Sequence, residues 1–219
     1  MISTRSLFPV FDSAPIPEKS GRDVILLEKN EPEETYTEIK RRYGIDKIFR
    51  LSVFLTSGDV LIFSAPAGPD MNETPEDLLF CSKEGAAVME RLGIRPFIGI
   101  ISGGRKGDIG RNTTVDKTIQ DAEALAKILE REKLPSKHYT ILIEDAVKEA
   151  NLLICPDSLS GEMILKTAAG VGEGREIGNI LLLKKRDGHS SNAPLYLEQL
   201  TKKANPDDLK ILKEALETF

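Results

Sequence analysis

The alternation of strand-like and helix-like segments after residue 74 limits most strongly what this chain can fold into. Short, continuously apolar segments, typical of strands that are buried on both faces, lie at 97–101, 152–155 and 180–183. An amphipathic segment of helical period precedes each of them, at 75–92, 115–132 and 161–171. Such an alternation favours an α/β fold built from parallel βαβ units with right-handed crossovers.

Other segments are predicted from local signals. Two β-rich runs, 48–55 and 60–63, flank a turn at 56–59 and predict a hairpin. The prolines and glycine of 64–69 predict a loop. Further helices are predicted at 139–150, 194–203 and 206–216.

The composition excludes several classes of protein. The chain has 219 residues, of which 40% are hydrophobic and 30% charged, enough for one compact domain or two small ones. No stretch approaches the ~18 consecutive apolar residues of a membrane-spanning helix. The amino terminus lacks the basic start and apolar core of a signal peptide, so we expect a cytoplasmic protein with no membrane partner.

Charge and cysteine usage narrow the partners further. The net charge is −5, and basic residues are spread among acidic ones, which argues against nucleic-acid binding. Cys81 and Cys155 are far apart in apolar contexts and are interpreted as buried thiols. With two cysteines and two histidines, we expect no metal site of the cysteine-rich kind.

The loop after the apolar segment 97–101 is rich in glycine and basic residues: Ser102-Gly103-Gly104-Arg105-Lys106-Gly107-Asp108-Ile109-Gly110-Arg111-Asn112. Its glycines allow backbone N–H groups to converge on an anion, and the next helix points its positive end at the same place. Arg105, Lys106 and Arg111 add charge. Ser102, Gly103 and Gly104 complete this candidate phosphate site. The alternative is an exposed loop with solvated charges.

A second loop, Cys155-Pro156-Asp157-Ser158-Leu159-Ser160-Gly161-Glu162, follows the apolar segment 152–155. Asp157 lies just past the strand, and Ser160 is a candidate N-cap for a helix that carries Lys166. The first N–H groups of the helix, with the hydroxyls of Ser158 and Ser160, can hold a phosphate or a polarised carbonyl oxygen. The alternative is that Asp157 and the serines only cap the helix and Lys166 lies on the surface.

The third loop, 186–192, contains His189 beside Asp187 and Ser190. Adjacent residues do not make a catalytic triad, because triad members meet through folding. We interpret it as a polar loop with an exposed histidine; the alternative is that Ser190 and Ser191 contribute to the anion pocket. The glycines of 172–178 follow a helix and precede a strand, the reverse of a dinucleotide-binding motif, and predict a turn.

The segments 100–111, 115–119, 139–150 and 154–161 resemble, in the same order, methanogenesis marker protein four, a family also described as the methyltransferase-related protein MtxX. The resemblance runs from about residue 78 to 183. The second loop is also similar to the wider superfamily of phosphate acetyl-, butyryl- and acyltransferases, which Asp157, Gly161 and Lys166 match. Glu162 stands where those enzymes usually have asparagine, and Ser190-Ser191-Asn192 replaces their Ser-Arg pair.

The resemblance implies a three-layer α-β-α sandwich with a mostly parallel sheet, related to the isocitrate and isopropylmalate dehydrogenase fold. It implies an N-terminal portion, 1–74, and an acyltransferase-like portion, 75–219, with the site in a cleft between lobes. The ligand would be a phosphorylated or acyl-thioester small molecule, with coenzyme A or phosphate as the candidate cofactor. A homodimer is implied too, in which helix 209–216 either joins the interface or packs on its own core.

In such a transferase, Arg105 and Arg111 would neutralise phosphate. Ser160 and the helix amides would stabilise an oxyanion, and Asp157 would orient the nucleophile or accept its proton. Two other functions stay open: a methyltransferase or a subunit associated with one, and a non-catalytic binding protein. The departures at Glu162 and at 190–192 favour the latter.

Overall fold

The computed structural model describes residues 23–27, 33–198 and 205–218, whose strands form one eight-stranded sheet in the order β1-β8-β7-β2-β3-β6-β4-β5. The strands are β1 Val24–Leu26, β2 Ile45–Leu55, β3 Leu61–Pro69, β4 Ile98–Ile101, β5 Ser136–Thr140, β6 Leu152–Ile154, β7 Arg175–Lys185 and β8 Leu195–Glu198. Neighbouring strands among β3, β6, β4 and β5 are parallel, whereas β2 is antiparallel to both β3 and β7. The predicted hairpin and the mostly parallel α/β sheet are confirmed.

Helices cover both faces of the sheet and make three layers. They are α1 Glu33–Tyr43, α2 Pro75–Arg91, α3 Thr113–Arg131, α4 Ile143–Glu149, α5 Ser158–Gly170 and α6 Pro206–Thr218. Because side chains alternate along a strand, Leu51 and Val53 of β2 join one apolar core and Phe54 joins another. The first core takes in α2, α3 and α6, and α4 and α5 pack in the second. Helix α1 lies over a third cluster on the same face as α4 and α5.

Three local predictions were wrong, and in each case tertiary pairing prevailed over local propensity. Residues 64–69, predicted as a loop, belong to β3, with cis peptide bonds before Pro66 and Pro69. Proline is tolerated there because β3 pairs with β6 only at Phe63–Ala65. The predicted helix 139–150 begins at Ile143, because the residues before it form β5 beside β4.

The predicted helix 194–203 is instead the strand β8 over residues 195–198, and its remainder lies outside the described residues. All four residues of β8 are buried between β1 and β7. Helix α6 packs on the chain's own sheet through Leu209, Leu212 and Leu216. This is one of the two roles expected for that helix.

The two portions on either side of residue 74 share the sheet. Strands β2 and β3 lie at its centre, between β7 and β6. The division of the chain into lobes at residue 74 stays a prediction. Cys81 and Cys155 are fully buried and unpaired, as expected. No helix in the described ranges has the length and apolar character needed to cross a bilayer.

Candidate functional site

The carboxyl ends of β3, β6 and β4 meet at one edge of the sheet, and the space there between the glycine loop and the start of α5 is called the crevice. Strand β6 lies between β3 and β4, and all three run in the same direction. The helices that follow β3 and β4 lie on one face, whereas α5, which follows β6, lies on the other. Ligands of open α/β sheets bind where consecutive loops diverge in this way. The glycine loop, 102–112, and the loop 155–157 are therefore neighbours at this edge, as their positions after strands predicted.

The floor of this crevice is nearly filled. A cavity of about 10 Å³ lies between the ends of β4 and β6 and is bordered by Ile101, Thr118 and Cys155. This volume is roughly that of one water molecule. The thiol of Cys155 contacts the Ser64 hydroxyl at 3.4 Å, and burial raises its pKa to about 12, so it is not an active nucleophile at neutral pH.

The start of the glycine loop is held tightly against its surroundings. Ser102 is buried, and its hydroxyl lies 2.9 Å from Nε2 of His138 and 3.1 Å from the Gly104 carbonyl. The N–H of Gly103 donates to the Thr118 hydroxyl. A Cβ on Gly104 would lie 2.5 Å from Cγ1 of Val115, so glycine allows the close approach of loop and α3. These residues set the position of the loop.

Carboxylates of the loop and of α3 bind several of the donors predicted to hold an anion. Asp108 accepts from the Arg105 N–H and from the Arg111 guanidinium, which are 2.9 and 2.7 Å away. Asp116 accepts from the Gly110 N–H. Lys106 pairs with Glu123 at 3.2 Å and lines a groove between α3 and β5. The cations of this loop are exposed, and Lys106 faces the outer edge of the sheet.

The start of α5 also binds carboxylates. The helix begins at Ser158, and its N-cap is Asp157, which accepts from the Ser160 N–H at 2.7 Å. The prediction that Ser160 is the N-cap was wrong, because Asp157 is extended and its side chain reaches the third residue. Glu73 accepts from both the N–H and the hydroxyl of Ser158. Three donors at the start of α5 therefore already hold anionic oxygens.

Gly161 brings α5 against β3. A Cβ at this position would lie 1.9 Å from the carbonyl oxygen of Pro66, so only glycine fits without movement of the backbone. Glu162, one residue further, accepts from Lys166 at 2.9 Å and lies 3.6 Å from the guanidinium of Arg50. Lys166 itself is exposed on the outer side of α5.

Arg50 is a site residue that the sequence analysis missed. It lies at the centre of β2, buried, and donates to the Glu198 carboxylate and to the Tyr36 hydroxyl. Burial lowers the pKa of Arg50, but the charge of Glu198 outweighs this and keeps it above its usual value. Burial and the bond to Glu198 raise the pKa of Tyr36 to about 12. A charged residue inside the apolar run 48–55 was the available signal.

Ser190 lies apart from these loops. It lines a groove of about 400 Å³ beside the start of α2, together with Phe80 and Lys184. There Lys184 and Lys47 both donate to the buried carboxylate of Asp77, which also caps α2. Burial raises the pKa of Asp77, but these hydrogen bonds outweigh it and lower the pKa to about 2. Ser190 therefore lines this groove and does not lie with Asp157 and Ser160.

Sequence comparisons identify relatives of this chain. It is 42% identical over 149 residues to a protein of Methanosarcina mazei named "Putative methyltransferase mtx subunit X", an alignment that covers 68% of this chain and 53% of that protein. A protein of the same name from Methanosarcina barkeri is 36% identical over 189 residues, covering 76% of this chain and 70% of that protein. The chain belongs to this family.

The mtx subunit X family was the one suggested by the glycine loop and the second loop. The chain spans about half the length of the Methanosarcina mazei relative and more of the Methanosarcina barkeri one. No family model matches the chain. An uncharacterized methyltransferase of Methanocaldococcus jannaschii is a more distant relative, 31% identical over 134 residues, covering 57% of this chain and 54% of that protein.

Solved structures confirm the fold of this member of the mtx subunit X family. A branched-chain phosphotransacylase from Enterococcus faecalis superposes with a TM-score of 0.64 at 11% identity, covering 97% of this chain and 78% of that one. A phosphotransacetylase from Streptococcus pyogenes gives 0.65 at 20% identity, covering 90% and 62%. The α-β-α sandwich of the phosphate acyltransferases is therefore the architecture of this chain.

Proposed function

We propose that this protein is transferase-like and binds a phosphorylated or acyl-thioester small molecule in the crevice between the glycine loop and the start of α5. The observation that carries the proposal is the set of three donors that hold the carboxylates of Glu73 and Asp157. Phosphate oxygens accept hydrogen bonds from the same kinds of donor. Glu73 occupies the place of the ligand's anionic group, and a ligand would replace it.

The candidate residues have distinct parts in this proposal. The N–H and hydroxyl of Ser158 would hold phosphate or a developing oxyanion, and Ser160 and Gly161 lie beside them. Asp157 fixes the helix start through one oxygen, which leaves the second to orient a nucleophile. Arg105 and Arg111 would turn toward the ligand from the neighbouring loop. An exposed pair such as Arg111–Asp108 contributes less than about 1 kcal/mol, so this turn is inexpensive.

If acyl transfer takes place, phosphate or a thiolate attacks the acyl carbonyl in a ternary complex. The new bond to the acyl carbon gives a tetrahedral oxyanion, which collapses as the bond to the leaving thiolate or phosphate breaks, without a covalent enzyme intermediate. Positioning and oxyanion stabilisation would supply the rate enhancement. The fold shared with a phosphotransacylase and a phosphotransacetylase supports this class of reaction.

Methyl transfer is the second candidate function, favoured by the name of the relatives from Methanosarcina. A thermal-shift screen separates the candidates: acetyl phosphate, coenzyme A or acetyl-coenzyme A should stabilise an acyltransferase, and S-adenosylmethionine a methyltransferase. Stabilisation without turnover would indicate a binding protein, the third function that the sequence left open.

Substitution of Glu73 tests where the anion binds. Glu73→Gln removes the competing charge, so we expect acetyl phosphate to bind about tenfold more tightly by titration calorimetry, equivalent to roughly 1.4 kcal/mol. Glu144→Gln, an exposed change on α4, is the control and should leave the affinity unchanged. Equal affinities for Glu73→Gln and the unmodified protein, or no heat with any phosphorylated ligand, would count against the proposed site.

A further inference from the structure

The free edge of the sheet at β5 forms one wall of a large groove. Within the described residues, β5 is the outermost strand on this side of the sheet and pairs only with β4. The groove beside it has a volume of about 820 Å³ and lies between β5 and α3. The N–H and C=O groups of successive residues in a strand point in opposite directions. Some of these groups in Ser136–Thr140 therefore point away from β4, toward the open side.

The groove is positive although the protein is negative. Its lining holds four lysines and two glutamates, with the net charge of the whole chain at −5. The lysines are Lys106, Lys127, Lys133 and Lys137. Burial lowers the pKa of His138, which also lines the groove, so its imidazole is neutral at pH 7 and adds no charge. Lys106 pairs with Glu123 at 3.2 Å, and Lys137 pairs with Glu149 of α4 at 2.7 Å, so Lys127 and Lys133 are the lysines of this lining best placed to attract an acidic partner.

The dimensions fit an extended chain. The lining of α3 runs from Glu123 to Glu130, seven residues along the helix, or about 10 Å. The three residues of β5 that line the groove, Ser136–His138, span about 10 Å. The lysines are spread along this length and do not converge on one point, as they would around a single phosphate. Lys106, in the glycine loop, is at one end of the groove, and Lys133, after α3, is at the other.

We propose that β5 and the lysines beside α3 form a docking site for an extended, acidic polypeptide segment, which adds to the sheet as a ninth strand. The backbone of β5 would give hydrogen bonds to the segment, and the lysines would select acidic side chains. A groove with an open strand edge on one side and cations on the other is complementary to this ligand in both shape and charge. The site is separate from the crevice, and neither proposal depends on the other.

A labelled heptapeptide of alternating glutamate and valine is the probe. We expect saturable binding to the full chain by fluorescence anisotropy, with shifts of the amide resonances of Ser136–Thr140 in NMR spectra. The charge reversals Lys127→Glu and Lys133→Glu together should weaken binding at least tenfold. The matched pair Lys148→Glu and Lys210→Glu, on exposed helix positions elsewhere, should change it less than twofold.

Three outcomes would overturn the proposal. A peptide with alternate backbone nitrogens methylated cannot pair as a strand, so equal binding of that peptide would show that charge alone is responsible. Binding of tripolyphosphate with no binding of the heptapeptide would identify a small-anion site. A dimeric mass by light scattering, with the β5 amides protected from exchange before peptide is added, would show that a second copy fills the edge.

Discussion

The start of α5 and the glycine loop lie side by side and use the same chemistry, but in different surroundings. At α5, Ser158 is buried, and Gly161 approaches the backbone of β3. In the glycine loop, Arg105 and Arg111 are exposed, and a Cβ on Gly107 would meet nothing within 4 Å. Both regions hold carboxylates through backbone N–H groups. Only at α5 are these groups shielded from water.

The comparison shows that the number of hydrogen-bond donors at two sites does not decide which site binds an anion more strongly. A hydrogen bond or ion pair is stronger where water is excluded, and breaking it there leaves a buried charge without compensation. The start of α5, with Arg50 close to Glu162, should therefore dominate both stability and ligand affinity. The glycine loop should contribute positive charge from exposed arginines that can change position.

The largest expected effect is at Arg50. Arg50→Ala leaves the buried carboxylate of Glu198 without its cation, and we expect a loss of about 3–5 kcal/mol in the free energy of unfolding. Arg111→Ala removes an exposed pair with Asp108 and should cost less than about 1 kcal/mol. Urea denaturation followed by circular dichroism measures both. Similar losses for the two variants would remove the distinction between the regions.

A smaller effect is expected from one methyl group. Gly161→Ala places a carbon against the Pro66 carbonyl, so α5 must move, at a cost of about 2–3 kcal/mol. Gly107→Ala in the glycine loop meets open space and should change stability by about 0.5 kcal/mol or less. The same denaturation experiment applies, and an unaffected Gly161→Ala variant would show that α5 is not seated as described.

The pH dependence of Asp77 extends the comparison to a third carboxylate. Its pKa is lowered from 3.8 to about 2 in the folded chain, so its contribution to stability is complete above about pH 4 and is lost as the pH falls toward 2. Asp77→Asn removes this contribution, on the order of 1 kcal/mol. The difference in unfolding free energy between the unmodified protein and the variant should shrink across that range. A constant difference would contradict the assignment.

The parallel half of the sheet was predictable from sequence, and with it the edge at which the glycine loop and the start of α5 lie. Strand β4 and strand β6 are short apolar runs followed by polar loops, and the helices between them have clear periodicity. The caps were less predictable: both Asp157 and Ser160 are good N-cap residues, and the choice between them depends on where the chain leaves β6.

Residues brought from far along the chain could not be predicted from local pattern. Glu73 reaches the start of α5 from 85 positions away, and nothing in its neighbourhood marks it as a ligand for Ser158. Strand β8 looked helical because its partners, β1 and β7, are remote in sequence. Lys106 was expected in the crevice, but its side chain follows α3 toward Glu123. In each case the decisive contact is long-range.

The divergence of α3 and α5 to opposite faces has a mechanical consequence. The two walls of the crevice belong to separate packing units, α3 in the core shared with α2, and α5 in the one shared with α4. A tilt of α3 would therefore widen the mouth of the crevice without unseating Gly161 from β3. In the proposed function, admission of a bulky molecule and retention of its anionic end would then fall to different layers of the sandwich.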